Sequence, residues 1–228
     1  MASTLSVKPA QNSDIDQIIS FIIPTFCALP PEIAIGNVDT PTGRSLASAR
    51  HLAAWRAHAE TSSIPCAIKC VHTSPDTGKE ELVGFAEWFV YDDLSKGDEQ
   101  YTQRGLIGGD WLPSAEQREA AQESFKPLLE TRRKWLHGRK CAVLMYLAVS
   151  PAWRRKGAGT MLVQWGVERC REVGAVAYLE ATEEGARLYS RLGFETMEVV
   201  GDEADGEHGS FPVMIWWPYG VEKVPAVA

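Results

Sequence analysis

Six consecutive residues, Arg154-Arg155-Lys156-Gly157-Ala158-Gly159, carry the clearest chemistry in this sequence. They follow an apolar run, Cys141 to Val149, and a short Ser150-Pro151-Ala152-Trp153 link. They open a segment, Thr160 to Val173, with helical periodicity. A strand that turns into a helix here presents unpaired backbone N–H groups and partial positive charge. Glycine lets a phosphate approach such a backbone closely. The stretch therefore predicts a pyrophosphate site. It is not a Walker motif, and Leu162 stands where Gly-x-Gly-x-x-Gly needs its last glycine.

Other reactive types are scattered. Glu87 lies in the otherwise apolar Phe85-Ala86-x-Trp88-Phe89-Val90, where a carboxylate is a candidate general base or a salt-bridged strand residue. Glu180, near a strand end, is a second candidate, with contact to a nearby cation as its other reading. Tyr189 by itself reads as the core tyrosine of a short helix. Trp88, Trp111, Trp135, Trp216 and Trp217 are candidates to line a pocket, and adjacent Trp216 and Trp217 must face opposite sides of one strand. Asp202, Glu203, Asp205 and Glu207 make an acidic loop suited to a cationic ligand or to solvent. His51, His58, His72, His137 and His208 show no metal-ligand spacing. Cys66-x-x-x-Cys70 lacks a second ligand pair and reads as two strand thiols.

The elements that must position these groups can be read in order. Leu5 to Lys8 is a first strand stopped by Pro9. Ser13-Asp14 starts a helix with Ile15, Ile18, Ile19 and Ile22 on one stripe, ended by Pro24. Leu29 to Gly43 reads as loop. Ser45 to Glu60 reads as a second helix, with Leu46, Ala49, Ala53 and Ala57 along its apolar side. Ile64 to Val71 and Glu81 to Tyr91 form a hairpin around Ser74-Pro75-Asp76-Thr77-Gly78. Pro113-Ser114 with Gln117 resembles a helix cap, Pro127 should kink the helix that follows, and Gly138 should end it. Cys141 to Val149, with no charged residue, suits a central strand covered on both faces. A helix, the strand Val176 to Ala181, the short helix Glu183 to Leu192, and the strands Phe194 to Val200 and Phe211 to Trp217 complete the order. The expected fold is a mixed α/β layer protein of order β-α-α-β-β-(α)-β-α-β-α-β-β.

Composition limits the function classes. The chain has 228 residues, 45% hydrophobic and 23% charged, which suits one globular domain over 1–228 with a tail at 218–228. A net charge of -7 disfavours nucleic acid or an anionic membrane as partner and leaves room for cationic ligands. Five irregularly spaced cysteines are not a disulfide framework. No signal-peptide pattern and no apolar run near the roughly 20 residues of a membrane span are present, so a cytoplasmic location is expected.

Leu147-Ala148-Val149-Ser150-Pro151-x-x-Arg154-x-x-Gly157-x-Gly159 resembles the acyl-CoA-binding motif of the GCN5-related N-acetyltransferases, or GNAT superfamily. Downstream, Leu188-Tyr189-Ser190-Arg191-Leu192-Gly193-Phe194 resembles that family's Leu-Tyr-x-x-x-Gly-Phe. Two motifs in this order and context are specific. The resemblance implies a GNAT-like sheet, mixed but mostly antiparallel, flanked by helices, with 92–140 as a helical insertion before the central strand. It implies acetyl-CoA as acyl donor. Leu147, Ala148 and Val149 would pair with the pantetheine arm, and the amides of Arg155 to Thr160, with Lys156, Gly157, Ala158 and Gly159 between them, would hold the pyrophosphate. Arg154, Arg155 and Lys156 would contact phosphates at the rim. Tyr189 would act as general acid toward the leaving thiolate. Where many members carry Asn and Ala, this chain has Thr182 and Gly185, and the Thr182 hydroxyl replaces part of the Asn contact. A backbone N–H near Leu147 would stabilise the oxyanion.

The expected function is acetyl transfer to the amine of a small molecule by direct attack in a ternary complex, with Glu87 as base and no metal. Two alternatives stand beside it: a non-catalytic CoA-responsive binding protein, and an acetyltransferase acting on protein or peptide amines. The insertion discriminates the last, since a helical lid favours small acceptors. Strand edges near 211–217 make pairing with a second copy plausible.

Overall fold

The computed structural model describes residues 4–22, 38–102, 112, 114–201 and 210–227. Seven strands form one sheet: β1 (Leu5–Pro9), β2 (Ala67–Thr73), β3 (Glu80–Tyr91), β4 (Cys141–Val149), β5 (Val176–Glu180), β6 (Glu195–Val200) and β7 (Phe211–Trp216). Their order is β1-β2-β3-β4-β5-β7-β6. Every neighbouring pair is antiparallel except β4 and β5. Five helices of eight residues or more accompany it among the described residues: α1 (Ile15–Ile22), α2 (Pro41–Ala59), α3 (Ala115–Leu136), α4 (Ala158–Val173) and α5 (Glu183–Arg191). This is the mixed, mostly antiparallel α/β architecture expected, with a helix between β3 and the central strand β4. One expectation fails: β7 lies between β5 and β6, so the outer strands of the described sheet are β1 and β6, not 211–217. No helix among the described residues is long and apolar enough to cross a membrane.

The pleat sends alternate side chains to two separate cores. Phe85, Phe89, Tyr91, Cys141, Val143, Tyr146, Tyr178 and Trp217 join Ile15, Ile18, Ile19 and Ile22 of α1, Trp55 of α2 and Trp135 of α3. Ala86, Trp88, Val90, Ala142, Leu144, Ala177 and Met214 join Leu162, Val163, Val167 and Cys170 of α4 and Tyr189 of α5. Both faces of the central strands are covered, which explains their near-continuous apolar sequence. Trp217 belongs to the first core, and Trp216 packs against the second, as adjacent strand residues require.

The second helix departs from its sequence reading in start and in face. Thr40 caps it, its side-chain oxygen accepting from Gly43 N at 3.0 Å, and Pro41 takes the first turn. The helix therefore begins four residues before Ser45. Leu46 is 51% exposed, and Ala49, Ala53 and Ala57 are exposed with it. The buried face is Ala47, Ser48, His51, Trp55 and His58. Hydropathy favoured the aliphatic stripe, but the core takes the polar aromatic one because the sheet beneath offers it partners.

Two contacts hold helices tightly to the sheet. A β-carbon at Gly166 of α4 would sit 2.1 Å from the Trp88 ring, and Trp88 Nε1 donates to Leu162 O at 3.2 Å. Glycine here removes volume so that the indole can lie against the helix backbone. On the opposite face, Arg132 of α3 forms a fork with Glu180 of β5: Nε to Oε1 at 2.7 Å and Nη2 to Oε2 at 2.9 Å. Both side chains are nearly buried, and the guanidinium also donates to Tyr101 O. The α3 N-terminus is the expected capping box, Ser114 Oγ accepting from Gln117 N and Gln117 Oε1 accepting from Ser114 N. Lys134 and Trp135 both donate to Glu198 of β6.

Gly166→Ala should lose about 1–3 kcal/mol by overpacking, despite alanine's helical preference of roughly 1 kcal/mol. Urea unfolding measures it, and the loss should shrink in a Trp88→Phe background. Arg132→Met should lose about 3–5 kcal/mol by leaving the Glu180 carboxylate buried without its partner. Arg132→Met with Glu180→Leu should recover much of that loss in the same measurement.

Candidate functional site

The site starts where β4 leaves β5. The two strands pair only over Cys141–Val143 and Val176–Tyr178. Beyond Val143, β4 stays in ladder with β3 alone, out to Val149 opposite Gly84. A bulge marks the departure: Glu87 faces Tyr146, Trp88 faces Leu144, and Met145 is the extra residue. A bulge bends its strand and raises the local twist. It also shifts the side-chain phase, so Val143, Met145 and Tyr146 all pack toward one core while Leu144, Leu147 and Val149 pack toward the other. The β5-side edge of Leu147, Ala148 and Val149 has no strand partner in the described sheet. Such an edge can pair with an extended chain carrying amides.

Past Val149 the chain makes one 3-10 turn, Pro151–Trp153, and enters the cationic segment. Arg155 has φ 63°, the sole positive value at a non-glycine among the described residues, and Gly157 has φ 96°. A β-carbon at Gly157 would meet nothing, so glycine is there for its backbone conformation. Met161 N to Gly157 O, 3.0 Å, is the first helical bond of α4. The N–H groups of Ala158, Gly159 and Thr160 precede it and have no acceptor within the helix. Left-handed residues beside a helix start gather N–H groups into an anion-binding concavity. Arg154, Arg155 and Lys156 are exposed around it, with Lys156 Nζ 4.8 Å from the Trp153 ring.

The second motif converges on the first. A β-carbon at Gly159 would lie 3.4 Å from Leu188 of α5 and 3.6 Å from Val149 of β4. Loop, strand edge and α5 thus meet at one point. Tyr189, the next residue, is buried against Phe194, ring centroids 5.8 Å apart. Its ring also lies so near Gly185 that a β-carbon there would be 3.1 Å from Cε2. Burial pushes the Tyr189 hydroxyl well above its ordinary pKa, so it is retained as a proton donor. Thr182 caps α5, its Oγ1 accepting from Gly185 N at 3.1 Å. Its oxygen is engaged within the chain, although its position at the carboxyl end of β5 faces the parted strands.

Glu87 lies on the other face of the sheet, toward α2, and is 1% exposed. Its Oε1 accepts from Trp55 Nε1 and lies 2.8 Å from His51 Nδ1. Glu87 and Tyr189 therefore lie on opposite faces of the sheet. Glu180 is held by Arg132 and serves as a structural ion-pair partner. Trp88 is core, Trp135 and Trp217 pack on each other at 6.3 Å, and Trp216 lies under Arg171. Trp111, His208 and the acidic loop Asp202, Glu203, Asp205 and Glu207 fall outside the described residues. Cys66, Cys70, Cys141 and Cys170 are buried, and burial pushes the Cys70 thiol up to about 11. Among the described residues no cluster of three or more His, Cys, Asp or Glu is placed to hold a metal. His51, Trp55 and Arg132 were not singled out from sequence as site residues. Their signal was the spacing of polar aromatics at 51, 55 and 58, one helical face.

Comparisons with known proteins agree with this geometry. A family model described as the acetyltransferase (GNAT) family matches residues 44–194. A curated relative from Ajellomyces capsulatus, "Probable acyltransferase SID5", is 30% identical over 87 residues, 38% of this chain. The chain spans 57% of that relative's length. An agmatine N-acetyltransferase variant in its apo form superposes with a TM-score of 0.58 at 14% identity, covering 94% of this chain and 99% of its own. A Drosophila melanogaster polyamine N-acetyltransferase, which forms N-acetylagmatine, gives a TM-score of 0.56 at 15% identity, covering 93% and 99%. At such identities the structural likeness establishes the fold. The family match spans well over half the sequence and includes the loop, the parted strands and Tyr189: the chain belongs to the GNAT acetyltransferase family.

Proposed function

We propose that this protein is an acetyl-CoA-dependent N-acetyltransferase whose acceptor is the amine of a small molecule. The observation that carries the reading is the junction of β4 and α4. There an unpaired strand edge, Leu147–Val149, runs into a cation-rimmed helix start whose first amides, Ala158 to Thr160, have no acceptor within the helix. An extended arm with amide groups and a pyrophosphate at its end fits both parts in sequence. The donor supplies a thioester, an acyl group on a good leaving thiolate.

The roles of the chain follow from position. Leu147 and Val149 pair with the arm through their backbone. The amides of Arg155 to Thr160 bind the pyrophosphate, and Arg154, Arg155 and Lys156 add charge at its rim. Thr182 stands on the opposite wall. Holding donor and amine together in attack geometry supplies much of the rate. Tyr189, kept neutral by burial, gives its proton to the departing sulfur. Glu87, on the other face, supplies the negative charge for proton removal from the amine.

The small-amine part rests on separate support. Two proteins of the same fold act on agmatine or polyamines by name, and a chain of net charge -7 attracts cations at long range. In addition, α3 is fastened over the β5–β7–β6 half of the face that α1 and α2 cover elsewhere. That arrangement favours a small acceptor over a peptide laid in an open groove.

Arg155→Glu with Gly157→Glu should remain folded and lose acetyl-CoA binding by calorimetry, by roughly 100-fold or more if two charge-assisted contacts are lost. Unchanged affinity would overturn the donor assignment. Tyr189→Phe should lower kcat by roughly 100-fold or more, with KM for acetyl-CoA held within about twofold. Thiol release across an amine panel reads this, and saturable acetyl-CoA binding without release on any amine would overturn the enzymatic reading.

A further inference from the structure

Glu87 is badly placed to meet an amine directly. It is 1% exposed, and Trp55 Nε1 and His51 Nδ1 both bond to its Oε1. His51 is equally buried, its side chain 3% exposed, but its second ring nitrogen, Nε2, has no hydrogen-bond partner among the described residues. Buried polar atoms are nearly always paired, and an unpaired one at a functional site needs a reason.

The geometry points to His51 Nε2 as the atom that takes the proton from the acceptor amine, with Glu87 as the carboxylate that orients the ring. This rests on the transferase reading given above. A carboxylate can only accept, so the His51–Glu87 contact places a proton on Nδ1, and in the neutral ring the lone pair is then on Nε2. The position is suitable as well. The His51 ring packs on Tyr146, centroids 5.2 Å apart, and Tyr146 is the bulge residue opposite Glu87 where β4 leaves β5. The charged and titratable groups around the ring are Glu87 on β3, Tyr146 on β4 and Arg50 on α2, with Arg132 of α3 felt at Tyr146. Burial above all, and then the Glu87 charge, hold the Tyr146 hydroxyl protonated, so the carboxylate is left to face the imidazole.

In the step, the acceptor ammonium gives one proton to Nε2, and the imidazolium so formed is balanced by Glu87. The amine nitrogen bonds to the acetyl carbon as the C–S bond breaks. The second proton the nitrogen loses on becoming an amide passes through solvent to the Tyr189 oxygen, replacing the one that Tyr189 gave to sulfur. The imidazolium then yields its proton to solvent. One amide, one thiol and one free proton result.

The test uses the full chain with acetyl-CoA and with agmatine and a short polyamine as acceptor probes. His51→Gln should lower kcat by roughly 100-fold or more near neutrality, with acetyl-CoA affinity by calorimetry within about twofold. It should also abolish the acidic limb of the pH profile of kcat/KM for the amine. Glu87→Gln should lower kcat too, because an amide no longer stabilises the imidazolium. In the wild type, imidazole nitrogen NMR should find Nε2 unprotonated at the pH of turnover, a readout that needs neither a variant nor catalysis. Near-normal kcat and a retained acidic limb in His51→Gln, or a protonated Nε2 in the wild type, would overturn the assignment. If the wild type binds acetyl-CoA and releases no CoA on any amine while Nε2 is unprotonated, the transferase reading fails and takes the proton route with it.

Discussion

Three residue pairs hold β4 to β5, and the rest of the molecule is arranged around their going no further. Parallel strands that stay paired would give a closed sheet with nowhere for a ligand backbone to enter. Here the Met145 bulge turns β4 away after Val143, and the strand edge that is lost to β5 becomes an edge for something else. The same bulge changes the side-chain phase, which brings Tyr146 onto the face of α1 and α2 and leaves Val149 on the face of α4. In the proposed reaction the gap is where groups from opposite faces would meet. Tyr189 belongs to the core under α4 and Glu87 faces α2.

Keeping the strands apart requires both flanks to be fixed. On one face, Gly166 allows the Trp88 indole to lie against α4, so the helix that follows the cationic segment is held to the strand neighbouring β4. On the other, the Arg132–Glu180 fork ties α3 to the end of β5. Burying two charges costs solvation that the attraction only partly offsets, so this pair is better understood as fixing a position than as adding net stability. Its place at the last residue of β5, where the ladder to β4 has already ended, is where such fixing is needed.

Much of this was legible in the sequence. The order of strands and helices followed from periodicity and turn residues, and the span of β4 from its uncharged run. The strand-to-helix junction followed from its cations and glycines, and the short helix that carries Tyr189 from periodicity and Gly193. What escaped was systematic. The buried face of α2 was assigned to Leu46 and alanines because hydropathy counts carbon, whereas His51, Trp55 and His58 are buried by the partners they find on β3 and its neighbours. The edge role given to 211–217 failed because strand order across a sheet is not a local property. Glu87 was noticed as a lone carboxylate among apolar residues, but nothing in its neighbourhood of sequence names a histidine 36 positions away.

The sequence by itself determined the family, the element order and the strand-to-helix junction with its cations and glycines, because each depends on residues close together along the chain. Capping, glycine conformation and hydrophobic period act over a few residues, and a motif of a dozen positions can state them fully. The tertiary structure alone decided which carboxylate was already committed: Glu180 to Arg132, Glu87 to His51 and Trp55. It also decided where the sheet opens. Both depend on which side chains distant elements bring into one low-dielectric space, where a charge must find its partner among groups that the linear order does not place together.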